Sequence, residues 1–251
     1  MTLRTLYKSI IPYEQRMLFY KLRHPEEYKK LCSSVNPSDK GSFSLKSFDE
    51  HQSLFIHITK TAGTSVAKSL FNYLPYHYTA IEYRVIYGRK KFNTYFKFAF
   101  VRNPWDRLYS AYRYLKSGGW NEKDREWAET HLSVYEDFNH FIKEWLSIEN
   151  INNHLHFRPQ YEFICDNKKN ILIDYIGYFE NLSEDYDVIR KKISTGKPLG
   201  THNTNPSAVT YKDIYDATSI RIVESVYKTD IQIFGYSFDD IVNKHELNNA
   251  P

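Results

Sequence analysis

Residues Leu54 to Ser65 read Leu-Phe-Ile-His-Ile-Thr-Lys-Thr-Ala-Gly-Thr-Ser, and this stretch constrains the fold more than any other. Its first half alternates: Leu54, Ile56 and Ile58 face one way, and Phe55, His57 and Thr59 the other, as in a strand. From Lys60 to Ser65 there is one cation, one glycine, three hydroxyls and nothing bulky. Val66, Ala67, Leu70, Phe71 and Leu74 then recur at helical spacing until Pro75. Strand, small polar loop and helix in that order form an anion cradle. The free N–H groups at the helix start face the anion, the helix dipole favours it, and a glycine such as Gly63 lets the backbone approach closely. Lys60 adds a full charge, and Thr61, Thr64 and Ser65 add hydroxyl donors. The competing reading is an ordinary strand-to-helix turn with Lys60 solvated. The nucleotide-triphosphatase loop G-x-x-x-x-G-K-[ST] is not present, because Lys60 precedes Gly63; the Lys-Ser/Thr pair that would hold Mg²⁺ is missing.

A second stretch points to the same crevice. Tyr95 to Val101 is apolar and aromatic enough for a buried strand, and it runs into Arg102-Asn103-Pro104-Trp105-Asp106-Arg107-Leu108-Tyr109-Ser110. Asn103 is a good N-cap, Pro104 suits the first helical position, and Asp106 stands where a capping carboxylate would. Trp105, Leu108, Tyr109, Tyr112 and Leu115 form the buried face, and Gly118-Gly119 ends the helix. Arg102, at the C-terminal end of a strand, and Ser110, two turns into the helix, can both reach the place where open α/β sheets bind ligands. Arginine is a strong phosphate fork. The alternative has Arg102 capping a loop and Arg107 in a surface ion pair.

On these residues the chain resembles the sulfotransferases. Phe55 to Ser65 is similar to their 5′-phosphosulfate loop and Phe100 to Ser110 to their 3′-phosphate motif, in the family order. The nearest likeness is to the carbohydrate sulfotransferases that include the heparan 2-O-sulfotransferases and many bacterial members, and it extends to about Phe238. Thr59 is a departure, since the family usually has Pro before the Lys. The resemblance implies a three-layer α/β sandwich with a mainly parallel central sheet and a P-loop-like core. It further implies transfer of a sulfuryl group from 3′-phosphoadenosine 5′-phosphosulfate (PAPS) to a hydroxyl of a glycan or other carbohydrate, without a metal. Lys60, Thr61, Ala62, Gly63, Thr64 and Ser65 would then hold the 5′-phosphosulfate, with Lys60 also catalytic, and Arg102 and Ser110 the 3′-phosphate. Ser207 and Tyr211, in a polar stretch like one near the family's nucleoside end, are carried over with them; Ser207 as a helix cap is the alternative. In the family, a His between the two motifs is the general base; His77 fills that interval, and Glu82 is a second candidate base or a residue that orients His77. His156, Pro159 and Gln160 match a His-x-x-Pro-Gln stretch, so His156, Arg158 and Gln160 are candidate acceptor contacts. Gly177, Glu180 and Leu182, and then Asp230, Phe234, Gly235 and Tyr236, match further landmarks of structural character.

The rest of the chain sets bounds. Its 251 residues, 41% hydrophobic and 17% aromatic, suffice for a full core. We expect an N-terminal helical extension and loop over 1–50, a main domain over 51–240 and a polar tail over 241–251. A net charge of +4 suits an anionic cofactor or acidic glycan and is too small to argue for nucleic acid. Cys32 and Cys165 form neither a disulfide framework nor a zinc site. With no secretory signal or membrane span near the start, the expected location is cytoplasmic. Residues 1–32 read as two short helices, the second opening at Pro25-Glu26-Glu27; they are a helical lid or an acceptor or membrane-surface contact. Residues 33–47 read as a Ser-rich loop. Gly118 to His131 carries Trp120 and Trp127 and is either an acceptor-binding loop, since aromatic rings stack on sugars, or a structural insertion. A third strand is expected over Ile171–Ile176, a helix capped by Ser183 up to Lys192, and a last long helix from Tyr215 to Tyr227. Two functional alternatives remain: a P-loop-like nucleotide kinase, and a binding protein that keeps the pocket without catalysis.

Overall fold

The computed structural model describes residues 13–33, 43–199 and 210–240. The expectations for Ser207, for most of the 33–47 loop and for the 241–251 tail lie outside the described residues. The elements in chain order are α1 (Tyr13–Arg23), α2 (Pro25–Ser33), α3 (Lys46–Glu50), β1 (Ser53–Ile56), α4 (Gly63–Phe71), α5 (Ala80–Thr94), β2 (Phe96–Val101), α6 (Pro104–Lys116), α7 (Glu122–His131), α8 (Phe138–Trp145), α9 (Tyr161–Ile164), β3 (Tyr175–Tyr178), α10 (Leu182–Ile193), α11 (Ala217–Val226) and α12 (Lys228–Phe234).

The fold is α/β. The three strands are parallel in the order β1-β2-β3, with Phe55 opposite Phe98 and Phe100 opposite Gly177. The strands are buried on both faces almost throughout, as parallel strands covered by crossover helices must be. On one face Phe55 and Phe98 stack at 5.0 Å, and Phe71 of α4 lies 6.4 Å from Phe98. Gly177 belongs to this face, where a Cβ would come within 2.5 Å of the Phe100 ring. On the opposite face Tyr178 donates its hydroxyl to the Phe234 carbonyl at the end of α12, at 3.1 Å. A second core, built from Trp105, Leu108, Phe138, Phe141, Trp145, Phe157, Val223 and Tyr227, joins α6, α8 and α11 beside the sheet.

Three boundaries differ from the sequence reading. The third strand begins at Tyr175, not Ile171, because Ile171 and Leu172 turn back on α9: Ile171 bridges Cys165 antiparallel and Leu172 donates to the Ile164 carbonyl. Asp174 marks the entry to the sheet, donating its N–H to the Lys97 carbonyl and accepting the Lys97 N–H on Oδ2. Helix α10 starts one residue before Ser183, with Asn181 at the cap and no capping side chain. The helix expected over Tyr215–Tyr227 spans Ala217–Val226, and a further helix, α12, follows it after Tyr227.

The turn from β1 into α4 carries the local strain. Lys60 and Ala62 both have positive φ, at 67° and 62°, where side chains are uncommon. Gly63 itself is helical, and its lack of a side chain also makes room for a neighbouring ring. The His57 ring lies against its Cα, so that an added Cβ would fall 2.0 Å from His57 Cδ2. The ring cannot withdraw cheaply, since it is buried, stacked on Phe55 and packed at a tilt against His77. Gly63→Ala is therefore expected to cost about 1–3 kcal/mol in urea unfolding, the cost of overpacking a closed site, and to shift the His57 ring resonances.

Candidate active site

The cradle is a run of unspent donors. Helix α4 has no side-chain cap, and its first intrahelical bond is from Val66 N–H to the Ala62 carbonyl. The five N–H groups from Thr61 to Ser65 have no acceptor among the described residues. A left-handed Ala62 followed by helical Gly63 turns consecutive N–H groups into one concavity, the arrangement that holds anions. Thr64 and Ser65 are half-buried there. Thr61 is a correction as a side-chain donor: its hydroxyl is buried and donates to the Ile58 carbonyl at 2.9 Å, leaving only its N–H for the cradle.

Arg102 follows β2, where its backbone is clamped from both sides. Gln160 Oε1 accepts the Arg102 N–H at 2.9 Å and Gln160 Nε2 donates to the Arg102 carbonyl at 2.8 Å. Gln160 is 0% exposed and both ends of its amide are spent, which removes it as an acceptor contact. The Arg102 guanidinium pairs with Asp106 at 2.7 Å, donates from Nη1 to the Lys60 carbonyl at 3.2 Å and lies 3.9 Å above the Phe179 ring. Asp106 is thus the partner of Arg102 and not a helix cap; the cap is Asn103 Oδ1, which accepts the Trp105 N–H. Ser110 is half-buried on α6 with no partner for its hydroxyl among the described residues. Tyr211 donates its hydroxyl to the Phe238 carbonyl at 2.6 Å. Arg107, which the alternative reading put in a surface ion pair, is buried; Nε donates to the Thr59 carbonyl at 2.9 Å and Nη2 to Thr59 Oγ1 at 3.1 Å.

His77 stands next to the cradle. Its Nδ1 lies 2.8 Å from the His57 carbonyl, which fixes Nδ1 as the protonated nitrogen and leaves the Nε2 lone pair free. Burial, together with the nearby Arg107, pulls its pKa below the ordinary value against the opposing effect of that carbonyl. Glu82 is not its orienting partner. The Glu82 carboxylate accepts from both the N–H and the hydroxyl of Thr79, at 2.7 and 2.8 Å, closing a capping box on α5.

The Lys60 ammonium lies 4.0 Å over the ring of Tyr114. Burial and the charges of Arg102 and Arg107 lower its pKa to about 8. The Tyr114 hydroxyl donates to Asp124 Oδ2 at 2.7 Å, and the other oxygen of Asp124 lies 3.6 Å from His154 Nε2. His156 packs edge-on against Tyr114, with ring centroids 4.8 Å apart. Burial, then His154, Lys60 and His77, hold it neutral by lowering its pKa to about 2. Arg158, by contrast, is engaged with Glu162 at 2.9 Å and with the Phe163 ring. The structure thus brings Lys60, His77 and His156 together, closes Gln160 and Glu82 into bonds with Arg102 and Thr79, and pairs the part-exposed Arg158 with Glu162. Sequence reasoning missed Arg107, Tyr114, Asp124 and His57. Arg107 had one signal, a charge set between the apolar Trp105 and Leu108 of a buried face.

Among the described residues no three His, Cys, Asp or Glu side chains are grouped to hold a metal, and no helix is long and apolar enough to cross a membrane. No solved structure matches the chain. An uncharacterized protein of Archaeoglobus fulgidus is 32% identical over 127 residues, 51% of this chain and 91% of that protein. Human carbohydrate sulfotransferase 10 is 26% identical over 185 residues, 61% of this chain but only half of that protein. The model of the sulfotransferase family matches residues 44–237, which spans both motifs, the three strands and the helices that carry the residues above: the chain belongs to the sulfotransferase family.

Proposed function

We propose that the protein transfers a sulfuryl group from PAPS to a hydroxyl of a carbohydrate. The observation that carries this reading is the run of five N–H groups without acceptors directly behind Lys60, at the start of α4. When bound, PAPS supplies the activated sulfuryl group. The N–H groups of Thr61 to Ser65 and the hydroxyls of Thr64 and Ser65 bind its 5′ end. Lys60 places its charge where negative charge builds up on the departing oxygen. Ser110 and the guanidinium edge that Arg102 does not give to Asp106 hold the 3′-phosphate, so that nucleotides lacking it are rejected. Tyr211 flanks the nucleoside. His77 takes the acceptor's proton on Nε2, and the His57 carbonyl steadies the resulting imidazolium through Nδ1–H. Neutral His156, beside Lys60, contacts the acceptor. The carbohydrate acceptor is inferred from the name of the human relative.

Calorimetric titration tests the cofactor site. Without divalent metal, adenosine 3′,5′-bisphosphate is expected to bind at least tenfold more tightly than ATP, and Arg102→Ala to weaken it about tenfold or more by removing a phosphate fork. Metal-dependent ATP binding with no preference for the bisphosphate would replace this reading with that of a kinase.

Lys60→Ala is expected to lower kcat by about 10²–10³, the range for loss of one preorganised charge at a developing oxyanion, with bisphosphate affinity far less affected.

The pH profile of kcat/KM follows from the two shifts. His77 must be neutral to accept a proton, so activity rises with pH through a midpoint below 6.5. Lys60 must be protonated, so activity falls again as pH passes about 8. His77→Ala should abolish the acid limb together with most of the rate, and an unaltered acid limb would remove His77 as the base.

A further inference from the structure

The turn between α6 and α7 presents an indole that the fold does not cover. Trp120 is 70% exposed. Trp127, the other candidate in this segment, is a packing residue, set against Trp145 and Phe157 at 5.6 Å each. The turn that carries Trp120 is firmly held. Gly118 and Gly119 both adopt positive φ, at 94° and 65°, and a Cβ on Gly119 would fall 2.2 Å from Asp124 Cβ. Asp124 Oδ2 accepts the Trp120 N–H and the Asn121 amide at 3.2 Å each, and on the same oxygen the Tyr114 hydroxyl at 2.7 Å. One carboxylate therefore fixes both the ring beneath Lys60 and the backbone from which Trp120 projects. His154 borders the same carboxylate, and Leu155, next in sequence, is partly exposed while its carbonyl accepts from Thr59 at the base of the cradle.

We propose that Trp120 is the platform on which a pyranose ring of the acceptor lies, extending the site outward from Lys60. This rests on the reading of the acceptor as a carbohydrate. A pyranose has a flat face of C–H groups that packs on an exposed indole such as that of Trp120. Asp124 ties the platform to the reacting lysine, so that a sugar chain lying on Trp120 is held in register with the charge that drives transfer.

The test is direct binding by NMR. The chain has four Trp, and the indole N–H signal of Trp120 is identified by its loss in Trp120→Phe. The ¹⁵N-labelled protein, with adenosine 3′,5′-bisphosphate present, is titrated separately with maltohexaose, chondroitin hexasaccharide and heparosan hexasaccharide. The expected result is a saturable shift of the Trp120 signal with at least one of them. Trp120→Ala should weaken that sugar about tenfold, the effect of one lost stacking contact, while Trp120→Phe retains most of the affinity. Bisphosphate affinity should be the same in all three proteins. A Trp120 signal that moves with none of the three sugars, or an affinity unchanged in Trp120→Ala, overturns the platform. Loss of bisphosphate binding in the unaltered protein would instead count against the cofactor site, and that titration is read separately.

Discussion

Arg107 spends its guanidinium on a single residue, and the site depends on that expenditure. Nε and Nη2 hold the carbonyl and the hydroxyl of Thr59, and Thr59 in turn donates to the Leu155 carbonyl at 3.4 Å. Three separate pieces of chain meet at this point: the end of β1, helix α6 and the segment that carries His154 and His156. Burying a guanidinium is expensive unless its donors are used and an opposite charge is close. Asp230 provides that charge. It is fully buried, its carboxylate accepts the N–H groups of Gln160 and Tyr161, and burial raises its pKa only to about 6, so it is ionised at neutral pH. Arg107 thereby immobilises Thr59, the residue that launches the cradle.

The second consequence is electrostatic. Lys60, Arg102 and Arg107 share one region: beyond burial, both arginines lower Lys60, and His154, Lys60, His77 and Arg107 lower His156. The carboxylates present are held at the margins, Asp106 on Arg102 and Asp124 on Tyr114. An anion would relieve the charge left on such a cluster, and the N–H groups of α4 without acceptors favour the same ligand charge. The imidazoles escape the repulsion by staying neutral, which is also the state in which His77 can accept a proton.

Much of this was legible in the sequence because it is local. The strand, the cradle and the start of α4 are contiguous, as are β2, the Asn103 cap and α6, and local alternation and capping chemistry announce them. What stayed hidden depends on pairing across long separations. Gln160 is a surface-type residue by composition, yet it is buried because the backbone of Arg102, 58 residues away, offers it one donor and one acceptor. Glu82 is a candidate base in sequence, but Thr79 three residues earlier claims its carboxylate. Gly63 has the look of an anion-approach glycine, and no local signal shows that the ring of His57 also packs against its Cα. Ile171 and Leu172 have every local mark of a strand, but α9 offers them backbone partners before the sheet does.

A common device runs through the site: the atom that anchors each functional residue is not the atom that would do the chemistry. Arg102 is clamped through its backbone N–H and carbonyl by Gln160, which leaves the guanidinium to be divided among Asp106, Phe179 and the turn. His77 is held at Nδ1, so its Nε2 is presented in a defined tautomer. Lys60 is held by its carbonyl, which accepts from Arg102, while its ammonium is placed over Tyr114 by a contact that leaves all three N–H bonds available. Anchors of this kind fix position while leaving donors available at Lys60 and part of the Arg102 guanidinium, which is what preorganisation requires: the ordering entropy is met in folding, and binding an anion then costs little further rearrangement. The same logic explains why the supporting residues Gln160, Arg107 and Asp230 are buried and hydrogen-bonded within the fold while the hydroxyls of Ser110, Thr64 and Ser65 have no partner among the described residues. A residue whose hydrogen bonds are complete holds the frame, and one whose bonds are incomplete marks where the ligand completes them.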